Sequence, residues 1–161
     1  MPPSKPSTND SIGFRCSNKD ITIAVVTGSK DSPSIVHTET ILLPNDYTRP
    51  EALHWLLQEL RSIHQKFPAS TWAIKRTEPS VKRVSWLDQR LEVEGVTQLA
   101  GAECGIPTIA CKANRTIAKD LGLPGKPSAL KEDLDTSVFD NFDDLPDKVQ
   151  EAVLVAWSTF K

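Results

Sequence analysis

Thr71-Trp72-Ala73-Ile74-Lys75-Arg76-Thr77-Glu78-Pro79 opens the stretch that decides the fold. A short apolar run ends there in a charged cluster and a proline. An amphipathic segment follows, from about Val81 to Cys104. Gly105-Ile106-Pro107 interrupts it, and a second apolar run, Thr108-Ile109-Ala110-Cys111, comes next. This order predicts strand, helix, strand. Two parallel strands joined by a helix take a right-handed crossover. Open α/β sheets carry their sites at the carboxyl ends of the strands. Lys75 and Arg76 therefore occupy the position where chemistry is expected. Within the helix, Val84, Leu87, Leu91, Leu99 and Ala102 are the expected core stripe, with Arg90 and Glu94 an i,i+4 pair.

Upstream, Ser11–Cys16 and Ile21–Thr27 alternate apolar and polar residues, and Ile35–Leu43 forms a third such run. Ser17-Asn18-Lys19-Asp20 and the segment from Gly28 to Ser34 have turn composition. Three strands on short turns predict an antiparallel meander. Thr48 is a helix cap, with Pro50 in the first turn and Glu51 three residues on. Leu53, Leu56, Leu57, Leu60, Ile63 and Phe67 then recur at helical spacing, and Pro68 stops them.

Downstream of Thr108, a short helix is expected at about 113–121 and a loop at 122–127. From Glu132 to Glu151 eight acids stand against one base, Lys148. A loop at 136–144 leads to a last helix, about 146–160, whose apolar centre from Ala152 to Trp157 predicts burial.

The 161 residues suit one domain, 11–161, preceded by a polar, proline-rich stretch, 1–10, expected to be disordered. Nineteen basic and 21 acidic residues leave a net charge of −2, which by itself points to neither nucleic acid nor membrane. There is no apolar run long enough for a membrane span and no secretory h-region at the start. Cys16, Cys104 and Cys111 are odd in number and lack metal-type spacing, so free thiols in a reducing cytoplasm are expected.

The element order resembles the ribonuclease H-like fold, and most closely the RuvC-type Holliday-junction resolvases. Ser11-Ile12-Gly13-Phe14-Arg15-Cys16-Ser17 is similar to that group's first strand. Trp72-Ala73-Ile74-Lys75-Arg76 is similar to its Glu-bearing strand. Leu99 to Ala113 resembles the passage after it, and Pro146 to Ser158 the acid-bearing last helix. The likeness covers most of residues 11–160 and rests on order and short patterns. It implies an α/β fold with a five-stranded mixed sheet, three strands antiparallel and two parallel, flanked by helices. It also implies a homodimer and a two-metal nuclease chemistry in which clustered carboxylates hold the ions.

The departures bear on function. Arg15 stands where the resemblance places the first acid, and Lys75 where it places the Glu. Divalent cations need oxygen ligands, which two basic residues repel. Asp147 and Glu151, four apart, share a face of the last helix. The expected arrangement is a degenerate site in which Asp147 and Glu151 face Arg15 and Lys75, with no catalytic residues, no metal and no cofactor. The alternative is a magnesium- or manganese-dependent nuclease with rearranged ligands, Asp20, Glu78, Asp147 and Glu151.

Basic residues suggest a stripe that tracks phosphates: Arg76, Lys82, Arg83, Arg90, Lys112, Arg115 and Lys119, with Lys126 beyond. A solvated charged face is the competing reading. Gly122-Leu123-Pro124-Gly125-Lys126-Pro127-Ser128 has wrong spacing for a phosphate loop and reads as a turn. His37, His54 and His64 have no ligand spacing. The expectation is a catalytically inactive, cytoplasmic, resolvase-like module that binds a DNA or RNA backbone, a protein partner or a second copy, with no membrane.

Overall fold

The computed structural model describes residues 10–161. The expected tail lies outside the described residues except for Asp10, which accepts a hydrogen bond from Thr27 Oγ1 at 2.6 Å. The meander consists of β1 (Ser11–Cys16), β2 (Asp20–Gly28) and β3 (Pro33–Leu42). Then come α1 (Arg49–Lys66), β4 (Thr71–Lys75), α2 (Ser85–Glu103) and β5 (Thr108–Lys112). Helices α3 (Asn114–Asp120), α4 (Ala129–Glu132) and α5 (Asp147–Trp157) complete the chain, with a 3-10 turn at Phe142–Asp144 before the last.

The sheet order is β3-β2-β1-β4-β5. β1 is antiparallel to β2 and parallel to β4, and β5 extends β4 in parallel. This is the predicted mixed five-stranded sheet. Local chemistry explains the joints. Ser17 Oγ accepts the N–H groups of Lys19 and Asp20 and donates to the Asp20 carboxylate, which closes the β1–β2 turn. Thr48 and Glu51 form a reciprocal capping box on α1.

Alternation sorts the strands into two faces. Ile12, Phe14, Ile23, Trp72 and Ile74 pack under α1 and α2. Leu56 and Leu60 of α1 are fully buried there, each contributing about 2 kcal/mol of apolar burial. Ala24, Val26 and Ala73 pack under α5 with Phe139, Phe142 and Trp157. Gly13 lies on this second face, where a Cβ would fall 1.8 Å from the Ala152 carbonyl oxygen. Helix α5 thus rests on the bare backbone of β1, and its acids are brought over the strand ends.

The expected stripe on α2 is reversed. The buried face is Arg90, Val93, Glu94, Thr97, Ala100 and Gly101. Val84, Leu91 and Leu99 are 38, 48 and 51% exposed, Ala102 is exposed, and Leu87 is half-buried. The reason is space and polarity beneath the helix. Near Gly101 an added Cβ would sit 2.8 Å from Ile109 Cδ1, so a leucine does not fit. Toward the amino end the helix covers the end of β1 and the segment after β4, where Thr97 meets Cys16 and Glu94 binds Thr77, so polar residues suit it better than apolar ones. The helix also starts at Ser85 rather than Val81. Downstream, α4 lies between the two expected loops, and the loop read at 136–144 ends in the 3-10 turn. The turn-like segment at 122–128 is a turn: the Gly122 and Leu123 N–H groups close α3 on the Lys119 and Ala118 carbonyls.

Candidate functional site

Three cations stand in a row at the carboxyl ends of three adjacent strands. Arg15 of β1 is in register with Lys75 of β4, and Lys75 with Lys112 of β5. They share the face of Gly13, Ala73 and Ala110, the one α5 covers. Neighbouring strands lie about 4.8 Å apart. Two like charges about 5 Å apart repel by about 3 kcal/mol at an effective dielectric near 20. Such a row needs counter-charges.

Each cation takes its own. Arg15 Nε donates to Glu151 Oε2 of α5 at 2.5 Å, and its Nη1 donates to the Cys16 carbonyl. Lys75 is 2% exposed; its Nζ donates to Glu78 Oε1 at 2.7 Å and to the Arg76 carbonyl at 2.9 Å. Lys112 Nζ donates to Asp120 Oδ2 at 2.8 Å and to the carbonyl and hydroxyl of Ser158. Glu78 also accepts the Asn114 N–H at 2.8 Å, tying the end of β4 to the start of α3. Burial pushes the Glu78 carboxyl up, but the Lys75 bond and the Asn114 N–H outweigh it and hold the group below its ordinary range.

Of the two acids expected to face Arg15 and Lys75, Glu151 pairs with Arg15, while Asp147, among the described residues, lines the same groove as Arg15 without pairing. Lys75 is held by Glu78. Glu78 lies beyond the strand, as expected, and that freedom lets it fold back onto Lys75. Asp147 lines a groove of about 840 Å³ with Arg15, Lys148, Glu151, Leu130 and Leu154. Among the described residues Asp147 forms no ion pair.

Three carboxylates of the alternative ligand set are engaged by groups of the chain itself: Asp20 by Lys148 at 3.0 Å and by Ser17, Glu78 by Lys75, and Glu151 by Arg15. Among the described residues no three His, Cys, Asp or Glu side chains converge to hold a metal. Oxygen-rich coordination is what such ions require.

Beside this row runs a buried polar seam. Glu94 of α2 accepts the Thr77 N–H at 2.6 Å and the Thr77 hydroxyl, which fixes the segment after β4. Burial pushes the Cys16 thiol up to about 12, so it is inert. Its Sγ lies 3.7 Å from Thr97 Oγ1.

The expected basic stripe is split. Arg76, Lys82, Arg83, Arg115 and Lys119 are exposed. Lys112 is drawn inward by Asp120, and Arg90 is 6% exposed beneath α2, off the surface stripe. The cause is the helix phase already described. Arg83 has only a loose contact with Asp88, at 3.7 Å. Sequence reasoning passed over Arg49, which reaches the Asn18 carbonyl at 3.1 Å and the Gln89 carbonyl at 2.7 Å and so links the β1–β2 turn to α2. Its place at the first turn of α1 carries no signal of such a span. It also passed over the Lys148–Asp20 pair. His37 stacks on Phe67 and meets Glu39. The three cysteines are free.

No helix among the described residues is long and apolar enough to cross a membrane. No protein-family model matches the sequence, and no curated protein matches it. Solved structures do match. Thermus thermophilus RuvC superposes with a TM-score of 0.68 at 11% identity, covering 92% of each chain. T. thermophilus RuvC in complex with Holliday junction substrate gives 0.67 at 13% identity, over 93% of this chain and 91% of that one. The yeast mitochondrial Holliday junction resolvase Ydc2 gives 0.63 at 14% identity, over 98% and 81%. Identities this low establish the architecture: the chain has the ribonuclease H-like fold that these RuvC-type resolvases share.

Proposed function

We propose that the chain is a non-catalytic, resolvase-like module that binds nucleic-acid backbone. The observation that carries this is the row Arg15, Lys75 and Lys112, each held by a separate acid, at the strand ends where this fold concentrates chemistry. Paired in this way, the three acids are committed to cations of the chain rather than to a divalent ion, and attraction of phosphates falls to the exposed cations beside the row. The exposed cations Arg76, Lys82, Arg83 and Arg115 sit on the segments that leave these same strand ends. A structural neighbour has been solved on Holliday junction substrate, which supports branched DNA as the first ligand to try.

Binding of a labelled four-way junction and a duplex by the full chain, followed against salt, tests this. Affinity is expected to fall steeply with salt and to vary little with base sequence. Lys82→Glu with Arg83→Glu should weaken it at least tenfold. No binding at low salt, or binding indifferent to salt, would sink the proposal.

A second reading rests on α2. Val84, Leu91 and Leu99 leave an apolar strip in solvent along one side of α2, which favours a protein partner or a second copy. Light scattering on the wild type and on Leu91→Glu tests for a second copy: a dimer lost in the variant supports it, and a monomer at all concentrations removes it.

A further inference from the structure

The sheet has two open edges, and they differ. β3 bounds one and β5 the other. β3 carries a register shift opposite Val25 and Val26, a bulge of the kind that turns an edge away from further pairing. β5 keeps unbroken register with β4 over all 5 of its residues. The Thr108 N–H donates to the Ser70 carbonyl at 3.2 Å, and the Lys112 carbonyl accepts the Arg76 N–H at 3.0 Å. Thr108, Ala110 and Lys112 therefore turn their backbone groups toward β4, and Ile109 and Cys111 turn theirs outward. Among the described residues no strand lies beyond β5, and nothing bonds those outward groups.

Each face of this edge holds a cavity. On the α5 face, one of about 350 Å³ is lined by Thr108, Ala110 and Lys112 of β5, with Lys30 and Asp120 beside them. Lys112 is matched by Asp120. Lys30 Nζ donates to the backbone carbonyl of Asp120 at 2.6 Å, and among the described residues no carboxylate pairs with it. On the α2 face, a cavity of about 320 Å³ is lined by Ile74, Cys111, Leu91 and Gly95, and by polar side chains, Arg76 and Gln98 among them. Leu91 is half in solvent, and Gly95 leaves open the space that a side chain would fill, with nothing within 4 Å of an added Cβ.

We propose that the outer edge of β5 is a docking site for an extended segment of a partner protein, added to the sheet as one more strand, in which acidic and apolar side chains alternate. Main-chain hydrogen bonds to Ile109 and Cys111 supply the attachment, and alternate side chains supply the selectivity. Successive side chains of a strand point to opposite faces. Those turned to the α5 face meet Lys30, whose unmatched charge favours a carboxylate. Those turned to the α2 face meet Ile74 and Leu91, which favour an apolar group. Neither Lys30 nor Cys111 belongs to the cations proposed to meet nucleic acid, so the two readings stand or fall separately.

The test uses the full chain and a labelled heptapeptide of alternating valine and glutamate, followed by fluorescence anisotropy. Saturable binding is expected, and the amide protons of Ile109 and Cys111 should exchange more slowly with solvent once the peptide is bound. Cys111→Pro removes only a donor that faces away from β4, a position where edge strands accept proline. Its melting temperature should stay close to wild type while peptide affinity falls at least tenfold. Lys30→Glu should lose at least tenfold as well, and should recover when lysine replaces glutamate in the peptide. A peptide with its valines gathered at one end and its glutamates at the other should bind at least tenfold more weakly than the alternating one. Absence of saturable binding, equal binding of the two peptide orders, or unchanged affinity in Cys111→Pro overturns the site. Should Cys111→Pro fail to fold, methylation of the peptide's backbone nitrogens takes its place, and undiminished binding of the methylated peptide overturns the site. A dimer of the chain alone that disappears in Cys111→Pro also overturns it, since a second copy is then the occupant.

Discussion

Arg15 and Glu151 are 136 residues apart in the chain and 2.5 Å apart in space. The contact exists because Gly13, two residues before Arg15, has no side chain, so α5 settles on β1 and carries Glu151 over the strand end. Lys75, in register beside Arg15, is served by Glu78 from its own segment. Charge satisfaction at this site is therefore local for one cation and long-range for its neighbour.

That division makes Lys75 sensitive to the sign of its replacement. Lys75→Glu places a buried acid against Glu78 and should cost about 3–5 kcal/mol in urea denaturation. Lys75→Met combined with Glu78→Gln removes both charges and should fall within about 1 kcal/mol of wild type, as replaced buried pairs often do. Equal losses in the two proteins would contradict the pairing.

Glu78 also gives a pH signature. Its folded value lies below the ordinary value of 4.5. The stability it contributes is therefore complete above that ordinary value and is lost as pH falls through the lower folded value. Denaturation midpoints should decline below about pH 4.5, and Glu78→Gln should flatten that decline. A variant whose profile parallels wild type through this window would show that Glu78 is not held in this way.

Two glycines should respond oppositely to alanine. Gly13→Ala drives a methyl group into the Ala152 carbonyl and should cost about 3 kcal/mol or prevent folding. Gly95, midway along α2, has nothing within 4 Å of an added Cβ. Gly95→Ala should stabilise the chain by about 1 kcal/mol through helix propensity. Thermal melts of both variants check this, and a tolerated Gly13→Ala would contradict the seating of α5 on β1.

Much of the fold was legible because its signals are local. Period-two runs marked the meander, Thr48 and Glu51 marked the start of α1, and the apolar runs about Trp72 and Ile109 marked the parallel strands. The placement of Arg15 and Lys75 at neighbouring strand ends followed from the element order. Lys75's partner did not, because a carboxylate beyond a strand and just before Pro79 gives no sign of folding back. The phase of α2 misled for a different reason. Its leucines form a convincing apolar stripe, yet the surface beneath the helix is polar at one end, where Thr77 and Cys16 lie, and tight against Ile109 at the other. Small and polar side chains therefore face inward there. Arg90 was misplaced by that same inversion.

We propose that cations paired with the chain's own acids stand at the strand ends in place of a metal site. The most direct measurement incubates the full chain at low salt with an end-labelled four-way junction, in manganese or in EDTA, and reads both binding and strand integrity. The account predicts the same affinity in both conditions and uncut strands. Binding that requires manganese, or strands cut in its presence, would contradict it.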